Sequence, residues 1–348
     1  MSQALGVAPF DGAASSYDTA FTATRLGRWL RDAVHARLAA LFPPGSRVLE
    51  LGCGTGEDAV WLAQRGVRVV ATDASPRMVE MARQKVARDG VAAHVSAHVL
   101  RIEDLAGATA VEAARATPAS VPVIASEAKQ SRAVVIDGLD HHDATLTPRE
   151  TASSAGAEYR PRTPNRPPRS DSADCVMSRT NFLRPASFDG ALSNFGALNC
   201  VADLRPVARA LARLIRPGGH VALVIMGPWC PWEMLWHGAH GDVATAGRRL
   251  RRDGAVARIG GEGVRVFYPS PGQVAAAFAP CFAPVGLRGI GVLLPPTYLD
   301  GLVERHPNLF ERLARWEARM ADTRLAGLFN DHYLIELRRS EMEYQLTN

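Results

Sequence analysis

Lysine is almost missing from this chain: Lys85 and Lys129 are the only two among its 348 residues, and arginine supplies the rest of its cationic side chains. A surface selected to grip phosphates clusters its cations, so a net charge of +5 is weak support for a nucleic-acid partner. Heavy alanine usage beside the arginine excess points to GC-rich coding instead. The one dense basic run, Arg248-Arg249-Leu250-Arg251-Arg252, reads as a solvated helix face sooner than as a nucleic-acid groove. No nucleic-acid partner is expected. Cysteine is also sparse. Cys53, Cys175, Cys200, Cys230 and Cys281 are odd in number and scattered, with no C-x-x-C pair. That argues against a disulfide framework and against a zinc site, so no metal is expected. No apolar run approaches the roughly 18 residues of a membrane span, which excludes stable membrane insertion. The stretch from Met1 to Phe10 has neither a basic n-region nor an apolar h-region, so a reducing cytoplasm is the expected compartment.

What the chain does have is a strand running into a glycine-rich turn. Val48-Leu49-Glu50-Leu51 reads as a strand buried on both faces, and Gly52-Cys53-Gly54-Thr55-Gly56 follows at once. The glycines let backbone approach a ligand where a Cβ would collide. Their spacing is G-x-G-x-G, and Glu57 stands where the dinucleotide pattern G-x-G-x-x-G needs its third glycine. A pyrophosphate favours bare helix-terminal N–H groups. Here Glu50 lies on the strand and Glu57 and Asp58 open the helix, an arrangement better matched to a ligand carrying positive charge. Asp73 closes the next strand, Val67 to Thr72.

The run V-L-E-L-G-C-G-T-G, followed by V-V-A-T-D-A-S, resembles motif I and its successor in class I S-adenosylmethionine-dependent methyltransferases of the small-molecule type. The resemblance spans 17–105 and 186–338. It implies an α/β, Rossmann-like doubly wound sheet of seven strands, mostly parallel with an antiparallel last strand, plus a cap segment. It also implies S-adenosyl-L-methionine as cofactor. Gly52, Cys53, Gly54 and Gly56 would pass under the methionine part, Glu50 would help hold its ammonium group, and Asp73 with Ala74 would meet the ribose. Tyr17-Asp18 resembles the pair that such enzymes place over the pocket; a helix entry capped by Asp18 or Thr19 is the other reading. Arg101-Ile102-Glu103-Asp104-Leu105 stands in the adenine position, but Arg101 replaces the usual acid. Backbone at Ile102, or the carboxylate of Glu103 or Asp104, would then substitute.

Between these motifs and the next the periodicity vanishes. The chain divides into an N-terminal helix and first half (1–105), a disordered insertion (106–185), and a second half (186–348) carrying a cap over 227–263. A structureless stretch of more than about 15 residues is suspect inside a compact domain, which is why an insertion is the simpler account. Phe188 to Phe195 is the fourth strand. Residues just past its end sit where open α/β sheets bind ligands, which makes Asn194 a cofactor contact and Phe195 and Asn199 pocket candidates. Leu204, Val207, Leu211 and Leu214 form a helix, and His220 to Met226 strand five. Trp229, Trp232 and Trp236 fall in the cap. They read as a wall for a flat or greasy acceptor, as the cap's own small core, or as an interfacial membrane contact. Leu309, Leu313, Trp316 and Met320 make one further helical face, and Asp331 to Leu337 the final strand. Tyr298, His306 and His332 are the only late residues with proton-transfer chemistry, none with a motif partner, so the catalytic residue stays unknown. The function implied is methyl transfer to a small apolar or aromatic acceptor. A non-catalytic S-adenosylmethionine binder and an NAD-dependent oxidoreductase are the alternatives. The sequence is silent on the oligomeric state.

Overall fold

The computed structural model describes residues 10–109 and 182–341. Its strands are β1 (Arg47–Leu51), β2 (Arg68–Asp73), β3 (Val95–Val99), β4 (Phe188–Ser193), β5 (Ile215–Met226), β6 (Ala255–Ile259), β7 (Glu262–Val266), β8 (Phe282–Ile290) and β9 (His332–Arg339). Seven of them form one sheet in the order β3-β2-β1-β4-β5-β9-β8, while β6 and β7 pair as a separate hairpin. Strands β1 to β5 run parallel, and β9 enters antiparallel between β5 and β8. This is the expected architecture, with strand five starting earlier, at Ile215.

The helices are α1 (Ala14–Tyr17), α2 (Arg25–Leu41), α3 (Glu57–Ala63), α4 (Pro76–Arg88), α5 (Arg205–Leu214), α6 (Pro231–Ala239), α7 (Val243–Ala246), α8 (Pro271–Phe278), α9 (Asp300–Arg305) and α10 (Pro307–Met320). Local chemistry sets their starts. Thr24, not Asp18 or Thr19, caps α2 by accepting the Gly27 N–H, and Ser75 caps α4 ahead of a proline at its first position. Ser270 and Gln273 close a capping box on α8.

Side chains alternate across a strand, and this decides what reaches the site. Val48 packs into the core formed with Leu26, Leu30, Val34 and Leu38 of α2. Leu49 and Leu51 enter the opposite core, with Val207, Leu211 and Leu214 of α5. Glu50 shares the face of Val48 and therefore points toward α2 and α3. The insertion expected over 106–185 has its main part, 110–181, outside the described residues. Its described ends are not disordered as expected: Ala108 and Leu183 are buried in one cluster with Leu105.

Candidate functional site

Strand order reverses at β1, which has β2 on one side and β4 on the other. The crevice beyond the ends of β1 and β4 is the usual ligand position in such sheets. The chain leaving β1 makes left-handed turns at Gly52 (φ 69°) and Gly56 (φ 80°). A Cβ at Gly52 would stand 2.2 Å from the Ala197 methyl, and one at Gly56 2.9 Å from that of Ala82. Both positions need glycine for conformation and for space. At Gly54 the nearest atom to such a Cβ is a Tyr17 ring carbon, at 3.8 Å, so Tyr17 lies over the turn.

Glu50 is 1% exposed, and its Oε2 has no hydrogen-bond partner among the described residues. Burial, with Asp58 adding repulsion, pushes its carboxyl well above the ordinary value. Asp58 is just as buried yet opposite in character. Burial alone would raise it too, but Arg31 and His35 hold it well below the usual range. Arg31 Nη1 and His35 Nε2 both lie 2.7 Å from Asp58 Oδ1, and the Asn194 amide donates to Oδ2 at 2.9 Å. Of the two acids, Asp58 is the paired anion and Glu50 the one short of a cation. Sequence reading missed the Arg31–His35–Asp58 group. Its signal was there: Arg31 and His35, four apart, interrupt the apolar face of α2.

Asp73 accepts the Gly54 N–H at 2.9 Å and the Ser75 N–H at 2.8 Å. Burial lifts its carboxyl, against those two donors. Tyr17, whose phenol burial pushes up to about 12, begins a string of rings: Phe21 at 5.9 Å, then Phe195 at 4.8 Å from Phe21, then His332 at 5.6 Å from Phe195. The Arg31 guanidinium is 5.3 Å from the Phe21 ring and 5.1 Å from that of Phe195. Asp18 is tied down separately, accepting from Thr55 at 2.6 Å and facing Lys85 at 2.9 Å, with Glu57 2.8 Å from the same ammonium. One of the two lysines thus clamps the N-terminal segment to the turn.

On the adenine side, Ile102 to Asp104 form a single 3-10 turn. The Ile102 side chain approaches Gly52, whereas Glu103 is exposed and faces Arg101 at 3.8 Å. Cys53 is buried, and Ala74 is exposed beside Asp73. Asn194 spends its amide on Asp58 and on the Phe195 N–H. Phe195 holds a left-handed φ of 43°, a strained conformation for such a residue. Asn199 has a different task from the one expected. It donates to the carbonyls of Met226 and Phe267 and accepts the Met226 N–H, so it staples the end of β5 to the chain leaving β7.

The three tryptophans do not share a wall. Trp232 donates to the Leu293 carbonyl at 3.0 Å and packs 6.1 Å from Phe310. Trp229 is half-exposed against Phe329, and Trp236 meets His240 at 4.6 Å with the rings tilted. The basic run also departs from its expected solvated face. Arg249 is buried, with Nη2 3.0 Å from Glu233 and 2.6 Å from Asp331. Arg248 chelates Glu233 through two 2.8 Å bonds. A buried Glu233 supplied the partner that a linear reading of the run could not see; only Arg251 and Arg252 remain exposed. His332 lies beside a carboxylate: its Nδ1 is 3.0 Å from Asp331 Oδ2, although that nitrogen makes no hydrogen bond among the described residues. A cavity of about 710 Å³ beside Arg251, Tyr268 and Gln273 includes no residue of the glycine turn. No cluster suited to a metal occurs among the described residues.

A family model for the methyltransferase domain matches residues 23–253. The chain belongs to the methyltransferase domain family. Magnesium-protoporphyrin O-methyltransferase of Rhodobacter capsulatus is 41% identical over 59 residues, 16% of this chain and 26% of its own. Ubiquinone biosynthesis O-methyltransferase of Xanthomonas axonopodis pv. citri (strain 306) is 41% identical over 68 residues, 20% of this chain and 28% of its own. These alignments span about a quarter of each relative's length. Among solved structures, Haemonchus contortus phospholethanolamine N-methyltransferase 2, in complex with phosphomonomethylethanolamine and S-adenosylhomocysteine, superposes with a TM-score of 0.50 at 13% identity. That match covers 95% of this chain and 58% of the other, and it concerns the fold alone.

Proposed function

We propose that this methyltransferase-family chain binds S-adenosylmethionine in the crevice beyond β1 and transfers its methyl group to a small, apolar or aromatic acceptor. The observation that carries the reading is the orphaned Glu50 Oε2, a buried carboxylate oxygen with no partner. An unpaired buried carboxyl is costly, and an ammonium group is the ligand chemistry that would satisfy it. Asp73, at the end of the neighbouring strand, is the acceptor for ribose hydroxyls. Gly52, Cys53, Gly54 and Gly56 would underlie the methionine part, Ile102 the adenine, and Tyr17 would close over them.

Bound there, the cofactor supplies an electrophilic methyl group on a positively charged sulfur. The chain's own part is alignment and exclusion of water. Tyr17, Phe21 and Phe195 furnish apolar cover, and Arg31 fixes the ionisation of Asp58 beside Glu50. His332, edge-on to Phe195 and backed by Asp331, is the group placed to take a proton from an acceptor that must lose one. The division into 1–105, an insertion over 106–185 and 186–348 belongs to the same reading, with bounds that narrow at both ends, because Ala108 and Leu183 bury in one core with Leu105. The test is incubation with radiolabelled S-adenosylmethionine and a small-molecule cell extract, where label in an organic-soluble product supports transfer. Cofactor binding with no labelled product across broad acceptor panels would favour the non-catalytic binder.

A further inference from the structure

Helix α10 is anchored from one side only. Phe310 is buried near Trp232, and buried Glu317 accepts the N–H groups of Gly291, Leu293 and Leu294 at 2.7, 3.0 and 3.1 Å. The further helical face of Leu309, Leu313, Trp316 and Met320 is largely uncovered among the described residues. Leu309, Trp316 and Met320 are 54, 61 and 41% exposed, and only Leu313 reaches the core. At 100° per residue these three fall in one narrow stripe, roughly a quarter-turn from Phe310 and Glu317. The turn after the helix adds Leu325, Leu328 and Phe329, at 69, 45 and 42% exposed.

The charges around this stripe are one-sided. Arg312, Arg315 and Arg319 line the next face of α10, with Arg305 before it and Arg324 after it, all exposed. Among the described residues, none of these five guanidinium groups has an ion pair or hydrogen bond. The nearby acids are already engaged: Glu304 and Glu311 with Arg25, at 3.9 and 2.9 Å, and Asp322 with Arg288 at 3.4 Å. The patch therefore offers apolar surface, an exposed tryptophan and uncompensated positive charge together.

We infer that α10 and the turn after it form a docking face for an anionic lipid bilayer, lying in the headgroup plane. Leu309, Trp316 and Met320 would enter the acyl boundary, and the arginines would reach outward to lipid phosphates with their stems along the apolar stripe. A second copy of the chain fits worse. A two-fold contact would set the same unpaired guanidiniums opposite one another, with no free acid to meet them. The inference does not depend on methyl transfer.

The test is co-sedimentation of the full chain with phosphatidylcholine vesicles, with and without phosphatidylglycerol. The expected result is partitioning about tenfold or more higher into the anionic vesicles, falling as salt is raised. Arg312→Gln/Arg315→Gln/Arg319→Gln should lower it toward the neutral-vesicle value, and Leu309→Ala/Trp316→Ala should weaken it at unchanged melting temperature. Quenching of tryptophan fluorescence by brominated lipid should diminish in Trp316→Phe. Equal partitioning into both vesicle types, or quenching unchanged in Trp316→Phe, would overturn the inference. So would a dimer in sedimentation velocity that the Leu309→Ala/Trp316→Ala variant dissociates, since the second copy would then be the occupant.

Discussion

Arg31 Nη1 stands 2.7 Å from Asp58 Oδ1, both side chains almost wholly shielded from water, and this pairing sets two neighbouring buried carboxyls apart. Asp58 takes the cation. Glu50, on the adjoining strand, is left raised and unpaired. The pocket thus carries a carboxyl with high affinity for an incoming positive group, at a cost to the protein when that group is absent.

That cost sets the first prediction. A carboxyl raised in the folded state stabilises the fold below its unfolded value of about 4.3. The advantage is lost as pH rises from there through the folded value. Glu50→Gln removes the penalty, so its melting temperature should exceed the parent's at pH 8 and match it near pH 4. The same variant should bind S-adenosylhomocysteine at least about tenfold more weakly, the loss expected for a hydrogen bond to a charged group. Thermal melts across pH, with calorimetric titration at pH 8, check both halves. Equal melts at every pH would contradict the raised carboxyl.

Asp58 has the opposite sign. Its folded-state carboxyl is depressed, so its contribution is present above the unfolded value of about 3.9 and is lost as pH falls through the folded one. Arg31→Met leaves that charge with weaker support and should cost about 3–5 kcal/mol at neutral pH. The deficit should shrink on acidification. Urea unfolding at several pH values measures it.

Asp73→Ala removes a carboxylate that also receives the Gly54 and Ser75 N–H groups. Affinity for S-adenosylhomocysteine should fall by roughly 1.5–3 kcal/mol, as for a lost hydrogen bond to a charged group. An unchanged dissociation constant, in a variant that still melts cooperatively, would remove Asp73 from the ribose role.

Arg249 bridges Glu233 on α6 and Asp331 at the start of β9. Arg249→Met should destabilise by about 3–5 kcal/mol, because it takes the guanidinium from buried Asp331 and leaves Glu233 to Arg248 alone. Arg251→Ala and Arg252→Ala, on the surface, should stay within about 0.5 kcal/mol of the parent. Chemical denaturation of the three variants distinguishes a buried bridge from the solvated basic face that the sequence alone proposes.

Much of the sheet was legible because its signals are local. Apolar β-branched strands and glycine turns name themselves over a few residues, so β1 and β2 emerged nearly at their observed bounds. Glu50, Asp73 and Tyr17 were legible by spacing and resemblance. The charge network behind them was not. Asp58 meets Arg31 and His35 only once α2 packs beside α3, and Arg249 meets Asp331 across 82 positions. The tryptophans misled because eight consecutive residues of a short helix and its approach point in several directions. Leu309, Trp316 and Met320 form the helical face their spacing indicates, but a periodic apolar stripe does not say what covers it.

The most direct measurement is a calorimetric titration of the full chain with S-adenosylhomocysteine and, separately, with NAD. The account predicts saturable binding of S-adenosylhomocysteine at neutral pH, weakened in Glu50→Gln, and no saturable binding of NAD. Saturable NAD binding without S-adenosylhomocysteine binding would contradict it.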